Sequence, residues 1–560
     1  MTQSTFVGQL ASAGTALGLL HHTDLPVAAA EPRAPGQDPV AAVTEAFDAV
    51  AEQLAGLSET LRASGQADMA DIVEVNGYIA QDQELRGAAV RHVDAGQSAA
   101  QAVVEAVQEY ATLLATLDDP MLAERAADVR QVGRRVLAHL AGAESAAPDG
   151  PVVLIAQEIG AADLLEYGDL VVAAASVIGG PSSHASIIAR SLGIPLILGI
   201  SPEVLDYPDG TEVLIDADAS SITMDPEPGE RQVAIAVIEA ARRRREVLAA
   251  ERDLPSQTVD GHLVALRANV ATAIEAKASN ASNADGVGLL RTELPFLDAR
   301  KWPTADQHVA VLAPILGKLA GQPVTVRTLD FADDKFPPFL AGQAVDGHLG
   351  RGLPFMLADP QAFTQQFRAV LSAGAACDLR IMIPMVATVE ELARCARVLG
   401  GVAKELGVAT PPIGAMIELP EAVDIADKLA EVAAFFSIGS NDLTSQILRL
   451  DRRDPSVSPA LGAHPKVLAA IARTVQAAHR HGIRVSVCGD AAAHPLVIPL
   501  LIGLGCDVLS VAPSALDETR VRIRRLDTRI CADVAAEALS CETLESVQRI
   551  VRQRCWPEMP

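Results

Sequence analysis

His184 stands at the end of Gly179-Gly180-Pro181-Ser182-Ser183 and directly ahead of the apolar run Ala185-Ser186-Ile187-Ile188-Ala189. A Gly/Ser-rich turn lets the backbone approach a ligand closely, and the helix start beyond it offers unpaired N–H groups suited to an anion such as phosphate. An imidazole there is neutral near pH 7 and can act as a nucleophile. Alone, the segment reads equally well as a loop histidine at a helix N-terminus. A second set of reactive types lies beyond Pro255. Arg291, Arg327, Lys335 and Arg452 supply fixed positive charge for a ligand with more than one anionic group, because guanidinium forks match carboxylate and phosphate bidentately. Glu418 and Asp442 follow successive apolar segments, so their carboxylates can share a hard cation, and Mg²⁺ fits because it takes few protein oxygens plus water and substrate phosphate. The alternative is that these acids only pair with the arginines. Cys488 is the single thiol at a predicted strand exit in this charged group, a proton donor or nucleophile on one reading and inert packing on the other.

The elements that must position these groups are legible as changes of period. Asp38 to about Gly142 is Ala-rich and helical, with Asp38-Pro39 as a cap and first-turn proline and Ser98 opening another striped run. From Pro151 to Asp225 the pattern becomes short β-branched runs, Val152–Ile155, Leu170–Val172, Leu196–Leu198 and Val213–Ile215, between Gly, Pro and Asp turns. This is an α/β unit carrying His184. The stretch Phe6–Leu20 reads as a buried strand and turn rather than a signal peptide, since no Lys or Arg precedes Arg33. Pro228 to Leu254 reads as a solvated connecting helix, with Arg242-Arg243-Arg244-Arg245 on it.

Beyond it, eight apolar segments alternate with helical ones: Val264–Val270, Gly286–Glu293, Val324–Asp330, Arg380–Val386, Ile413–Leu419, Phe435–Asp442, Val485–Asp490 and Asp507–Ala512. That repeat predicts a (β/α)8 barrel, whose chemistry sits at the C-terminal ends of the strands. Here those ends carry Asn269, Arg291-Thr292-Glu293, Arg327-Thr328-Leu329-Asp330, Glu418, Asn441-Asp442 and Cys488-Gly489-Asp490. Ionisable groups converging on one mouth point to an active site rather than to packing.

Composition narrows the class. A chain of 560 residues holds several domains, and 49% hydrophobic with 21% charged residues is a globular balance. A net charge of −26 argues against a nucleic-acid surface. No run reaches the ~18 apolar residues of a membrane span, so no membrane insertion is expected. The seven cysteines lack paired spacing and read as reduced cytoplasmic thiols, not a disulfide or zinc framework.

Several segments are specific in combination: Gly179–Ile187; Asp285-Gly286-Val287-Gly288-Leu289-Leu290-Arg291-Thr292-Glu293; Val326–Asp330 with Asp334-Lys335; Arg380–Val386; Phe436–Thr444; and Val487-Cys488-Gly489. With them the chain resembles, over essentially its whole length, Enzyme I of the bacterial sugar phosphotransferase system, the phosphoenolpyruvate–protein phosphotransferases of the PEP-utilising family. Pyruvate phosphate dikinase and phosphoenolpyruvate synthase share the loop and barrel but need an ATP-binding domain, for which Asp38–Gly142 has neither length nor a Gly-rich phosphate loop.

The resemblance implies an α/β multidomain chain: residues 1–25 and 145–227 as a phosphohistidine α/β domain with a helical bundle inserted at 26–144 that binds the carrier protein HPr, a linker helix at 228–255, and a phosphoenolpyruvate-binding (β/α)8 barrel at 256–560 that forms a homodimer. It implies that Arg291, Arg327, Lys335, Arg351, Asn441 and Arg452 hold phosphoenolpyruvate, Glu418 and Asp442 hold Mg²⁺, His184 accepts the phosphoryl group and passes it to HPr, and Cys488 protonates the departing enolate. The chain departs from the family pattern in five places. Ser182 replaces a threonine, Gly160-Ala161-Ala162-Asp163-Leu164 replaces a Thr-Pro-Ser segment, Ala332-Asp333 replaces Gly-Gly, Pro354 replaces a second arginine after Arg351, and Asp490 replaces a glutamate. Those departures leave as the alternative a divergent paralogue that senses phosphoenolpyruvate or serves another carrier.

Overall fold

The computed structural model describes residues 4–23, 38–63, 67–116, 120–142, 150–180, 183–297, 299–330, 337, 344–345, 348–349, 353, 357, 360–450 and 458–557. They form two compact units, Met1–Arg244 and Arg245–Pro560.

In the first unit a mixed sheet is built from β1 (Ser4–Val7), β2 (Gln9–Ser12), β3 (Thr15–His22), β4 (Val152–Glu158), β5 (Val171–Ile178), β6 (Leu196–Leu198), β7 (Glu212–Asp216) and β8 (Ser221–Met224), in the order β1-β8-β7-β3-β4-β5-β6-β2. β3 to β6 run parallel, and the edge pairings are antiparallel. The central strand β4 is apolar at every position from Val152 to Ala156 because both faces are covered. Val152, Leu154 and Ala156 join one core, while Val153 and Ile155 join another on the opposite face. The expected N-terminal strand and turn is in fact three strands. β2 crosses to the far edge beside β6, and the crossing passes so close that a methyl group at Gly8 would lie 2.6 Å from the Leu198 carbonyl oxygen.

Among the described residues five helices, Pro39–Ala63, Ala67–Ala80, Gln83–Asp94, Ala99–Thr116 and Pro120–Ala141, separate β3 from β4. Asp38 caps the first through the Val40 N–H at 3.3 Å, and Ser98 caps the fourth through the Gln101 N–H at 3.3 Å. The bundle and one sheet face share a single core, in which Phe47, Leu54 and Val132 belong with Leu154, Leu164 and Ile188. The helix Pro228–Ala250 that follows buries only Ala234 and leaves its arginine run exposed, the solvated helix that its polar faces predict.

The second unit is a closed barrel of eight parallel strands, Ala265–Val270, Val287–Leu290, Pro323–Arg327, Asp378–Ile383, Ile413–Ile417, Phe435–Gly439, Arg484–Cys488 and Val508–Val511. All eight fall on the apolar segments picked out by the sequence. Alternate residues face opposite ways. Leu266, Val324, Ile381, Phe436 and Val487 enter the outer core under the helices, whereas Leu289, Met382, Met416, Phe435 and Cys488 form a separate cluster inside the barrel. All seven cysteines are free, and no helix among the described residues is long and apolar enough to cross a membrane.

His308, on the helix Ala305–Gly317, packs its ring edge-on to Phe296 at 4.8 Å just past the second strand's exit. Burial pushes its pKa down to about 4, and neither ring nitrogen has a hydrogen-bond partner among the described residues. The neutral ring therefore contributes stability above the ordinary value of 6.5 that is lost as pH falls toward 4. In urea titrations, His308→Leu is expected to abolish about 3 kcal/mol of acid-dependent destabilisation across that window. A wild-type pH profile matching that of the variant would refute this.

Candidate active site

In the first unit the segment before His184 is folded by its own hydroxyls. The Ser183 Oγ accepts from the Ser186 N–H at 3.3 Å, while the Ser186 Oγ and the Ser183 N–H both donate to the Gly180 carbonyl at 3.0 Å. These bonds make Ser183 the N-cap and His184 the first residue of the helix His184–Leu192, which ends at Gly193 in the left-handed conformation. Ala185 and Ile188 anchor that helix in the same core as Ala161, Ala162 and Leu164 of the short helix Ala161–Glu166. The segment that lacks hydroxyls is therefore an apolar packing face. Its one acid, Asp163, is committed elsewhere: it accepts from the Gly160 N–H at 2.9 Å and pairs with Arg135 at 3.0 Å.

In the second unit the strand exits converge on a cavity of about 260 Å³, lined by Arg291, Glu293, Arg327, Asp330, Met416, Glu418, Asn441, Asp442, Cys488 and Asp490 among others. Arg327 ends the third strand with its guanidinium clamped between Glu293 Oε1 at 2.7 Å and Asp330 Oδ2 at 2.6 Å. A buried glutamine braces both exits. The Gln366 Nε2 donates to Thr292 Oγ1 at 2.9 Å, Thr292 Oγ1 donates to the Arg327 carbonyl at 2.9 Å, and the Leu329 N–H donates to Gln366 Oε1 at 3.0 Å.

Glu418, at the fifth exit, is buried. Its Oε1 accepts from the Met385 N–H at 2.7 Å, holding Met385 in a left-handed conformation of φ 54°, and its Oε2 is buried with no hydrogen-bond partner among the described residues. Burial, then the nearby charges of Asp330 and Asp442, push the Glu418 carboxyl well above the usual carboxylate range, against the pull of Arg327. Burial alone would lower Arg327, but Asp330, Glu293 and Glu418 outweigh it and hold the guanidinium charged. No ion pair among the described residues joins Glu418 to an arginine, and Arg327 takes Glu293 and Asp330 instead. Among the described residues no three His, Cys, Asp or Glu side chains cluster as a metal site. Two carboxylates with one orphan oxygen instead suit a hard cation completed by substrate and water.

Cys488 closes the seventh strand with its sulfur buried. Its Sγ accepts from Ser437 Oγ at 3.6 Å and donates to the Ile438 carbonyl at 3.5 Å. Burial pushes the thiol up to about 11, with Ser437 and Arg327 pulling the other way, so it is protonated at neutral pH. Beside it, Asn441 Nδ2 donates to Asp490 Oδ2 at 3.1 Å and the Asp490 N–H donates back to Asn441 Oδ1 at 3.2 Å.

One cavity thus gathers Arg291, Arg327, Glu418, Asn441, Asp442 and Cys488. His184 belongs to the other unit. Lys335, Arg351 and Arg452, like Ser182, Asp333 and Pro354, lie outside the described residues. Sequence reasoning placed Glu293 and Asp330 at strand exits without naming their task, and it missed Gln366, whose signal is only a polar residue on the apolar stripe of Pro360–Ala373.

The family comparison agrees with this architecture. Residues 7–125 match the PEP-utilising enzyme N-terminal model, 148–220 the mobile-domain model and 245–528 the PEP-binding-domain model. The chain belongs to the PEP-utilising enzyme family, and within it to the phosphoenolpyruvate–protein phosphotransferases, Enzyme I. It is 31% identical to the phosphoenolpyruvate-protein phosphotransferase of Geobacillus stearothermophilus over 98% of both chains, and 30% identical to that of Bacillus subtilis over 97% of this chain and 98% of the relative. It is also 38% identical over 88% of its length to a multiphosphoryl transfer protein of Rhodobacter capsulatus, of whose length it spans 60%.

Gly489 joins Cys488 to Asp490 at φ 99°, and a methyl group there would run into Ser440 Oγ and lie 2.8 Å from Asn441 Oδ1. Gly489→Ala should therefore displace Asn441 and the thiol together, lowering phosphoenolpyruvate-dependent phosphotransfer by about ten- to a hundredfold. Unchanged turnover with the variant folded would show that this turn does not set the site.

Proposed function

We propose that this chain transfers the phosphoryl group of phosphoenolpyruvate to His184 and from there to a histidine of an HPr-like carrier, releasing pyruvate in the cytoplasm as the first step of a sugar phosphotransferase system. The observation that carries it is the barrel cavity, where guanidinium groups, two carboxylates with an orphan oxygen and a protonated buried thiol share one space. Arg291 and Arg327 hold the phosphate and carboxylate of the substrate, with Lys335, Arg351, Arg452 and Asn441 completing the hold. Glu418 and Asp442 hold a divalent cation, assigned as Mg²⁺ from their hard oxygens; when bound it neutralises charge on the phosphate oxygens. The unpartnered Glu418 Oε2 supports that assignment.

An imidazole nitrogen of His184 attacks phosphorus in line. A P–N bond forms as the bond to the enol oxygen breaks, and the arginines stabilise the equatorial oxygens. The enolate takes the Cys488 proton on its methylene carbon and leaves as pyruvate, and the thiolate is reprotonated from water. Residues 1–25 with 145–227 carry the phosphoryl group, 26–144 receive the carrier, 228–255 connect, and 256–560 bind substrate and form a homodimer.

Incubation with Mg²⁺ and phosphorus-labelled phosphoenolpyruvate should give acid-labile, alkali-stable label on the wild type and none on His184→Ala. Retained binding with no label on the wild type would mark a sensor instead, and pyruvate formation that requires AMP and pyrophosphate would mark a dikinase. Cys488→Ala should depress pyruvate release by about a hundredfold or more while sparing exchange of phosphate between His184 and the carrier. Equal losses in both reactions would remove the thiol from the proton-donor role.

A further inference from the structure

The barrel has a second mouth, at the N-terminal ends of its strands, and three arginines face it. On the first strand Leu266, Ala268 and Val270 enter the outer core, so Arg267 faces the axis; on the fourth, Leu379, Ile381 and Ile383 do so, and Arg380 faces the axis; on the seventh, Val485 and Val487 leave Arg484 to the inside. Above them the cluster Leu289, Met382, Met416, Phe435 and Cys488 fills the barrel and divides this end from the cavity at the strand exits.

Arg267 is 8% exposed, and among the described residues its guanidinium has no hydrogen-bond or ion-pair partner; its Nε and that of Arg380 are both buried and unsatisfied. Three carboxylates stand at this end, and none makes an ion pair with Arg267: Asp507 Oδ2 takes the Val485 N–H at 2.8 Å and lies 3.2 Å from His479 Nε2. Asp285 Oδ2 is bonded to the Leu266 N–H at 2.8 Å, and the largely exposed Asp378 stands 3.7 Å from Arg380. Burial, then repulsion from Arg380 and Arg484, pulls Arg267 down to about 10.

A barrel floor built for stability alone would not carry this arrangement, because an unpaired buried charge costs several kcal/mol that a hydrophobic residue of similar volume would not. We propose that the N-terminal mouth of the barrel is a binding site for a small phosphate-type dianion, received by Arg267, Arg380 and Arg484. Three guanidinium groups from three separate strands surround a compact tetrahedral oxyanion, and the two unsatisfied Nε–H donors supply charge-assisted hydrogen bonds. The ligand is distinct in place from phosphoenolpyruvate, since the apolar cluster lies between the two mouths.

The probe is inorganic phosphate, titrated by calorimetry into the full-length Arg291→Ala chain, in which the strand-exit cavity is impaired. Saturable binding is expected, weakened about tenfold or more by adding Arg267→Met and likewise by adding Arg484→Ala, a loss of about 1.4 kcal/mol per tenfold. Arg484 is exposed, so its removal leaves the fold intact even if Arg267→Met does not. Absence of saturable binding in the Arg291→Ala chain, or an affinity that Arg484→Ala leaves unchanged, would overturn the proposal.

Discussion

The mouth at the strand exits depends on one buried cation. Arg327 ends its strand inside the barrel, and a guanidinium there is tolerable only because Glu293 and Asp330 meet it on two sides. Removing either acid would leave buried charge unbalanced, at a cost of about 3–5 kcal/mol. The same pair also takes up the positive charge of the arginine. Glu418 can then keep an oxygen without a partner among the described residues, although it sits within the field of Arg327. The clamp thus frees one carboxylate by committing two others.

Precision in this mouth comes from bonds between neighbouring exits rather than from any single loop. Gln366 ties the second exit to the third, Glu418 ties the fifth to Met385 after the fourth, and Asn441 ties the sixth to Asp490 after the seventh. Each link joins two βα connections that barrel closure already places side by side. Cooperation between them follows from topology, and a change in one exit is felt in its neighbour. Asp490 is one methylene shorter than the glutamate expected from the family pattern, yet it reaches Asn441 with both side chain and backbone.

The barrel was legible because parallel strands covered on both sides read as short apolar runs between turns, and all eight fell where those runs lie. The reactive groups at their exits were legible for the same reason, since strand ends fix which residues reach the mouth. Pairing across the mouth was not. Nothing in the spacing of Glu293, Arg327 and Asp330 says that the first strand-exit acid crosses to the next strand's arginine. Periodicity likewise told that the segment 39–141 is helical but not that its apolar stripe and the sheet share a core, because a stripe does not name its partner. The N-terminal strands were half legible: four-residue edge strands are too short for their alternation to separate one strand from three.

Cys488 shows how a packing constraint can set a chemical state. Its sulfur belongs both to the apolar cluster that fills the barrel and to the wall of the cavity above it. The burial that makes it part of the plug is the first cause of its raised pKa, so the thiol arrives at the mouth carrying its proton. A nucleophilic cysteine would need the opposite environment, partly exposed and near net positive charge, to exist as thiolate. Arg327 could have supplied that charge, but Glu293 and Asp330 hold it in check, and Glu418 pushes the thiol further toward its protonated form. The clamp around one arginine therefore bears on two groups at once, leaving a carboxylate oxygen open and a proton in place.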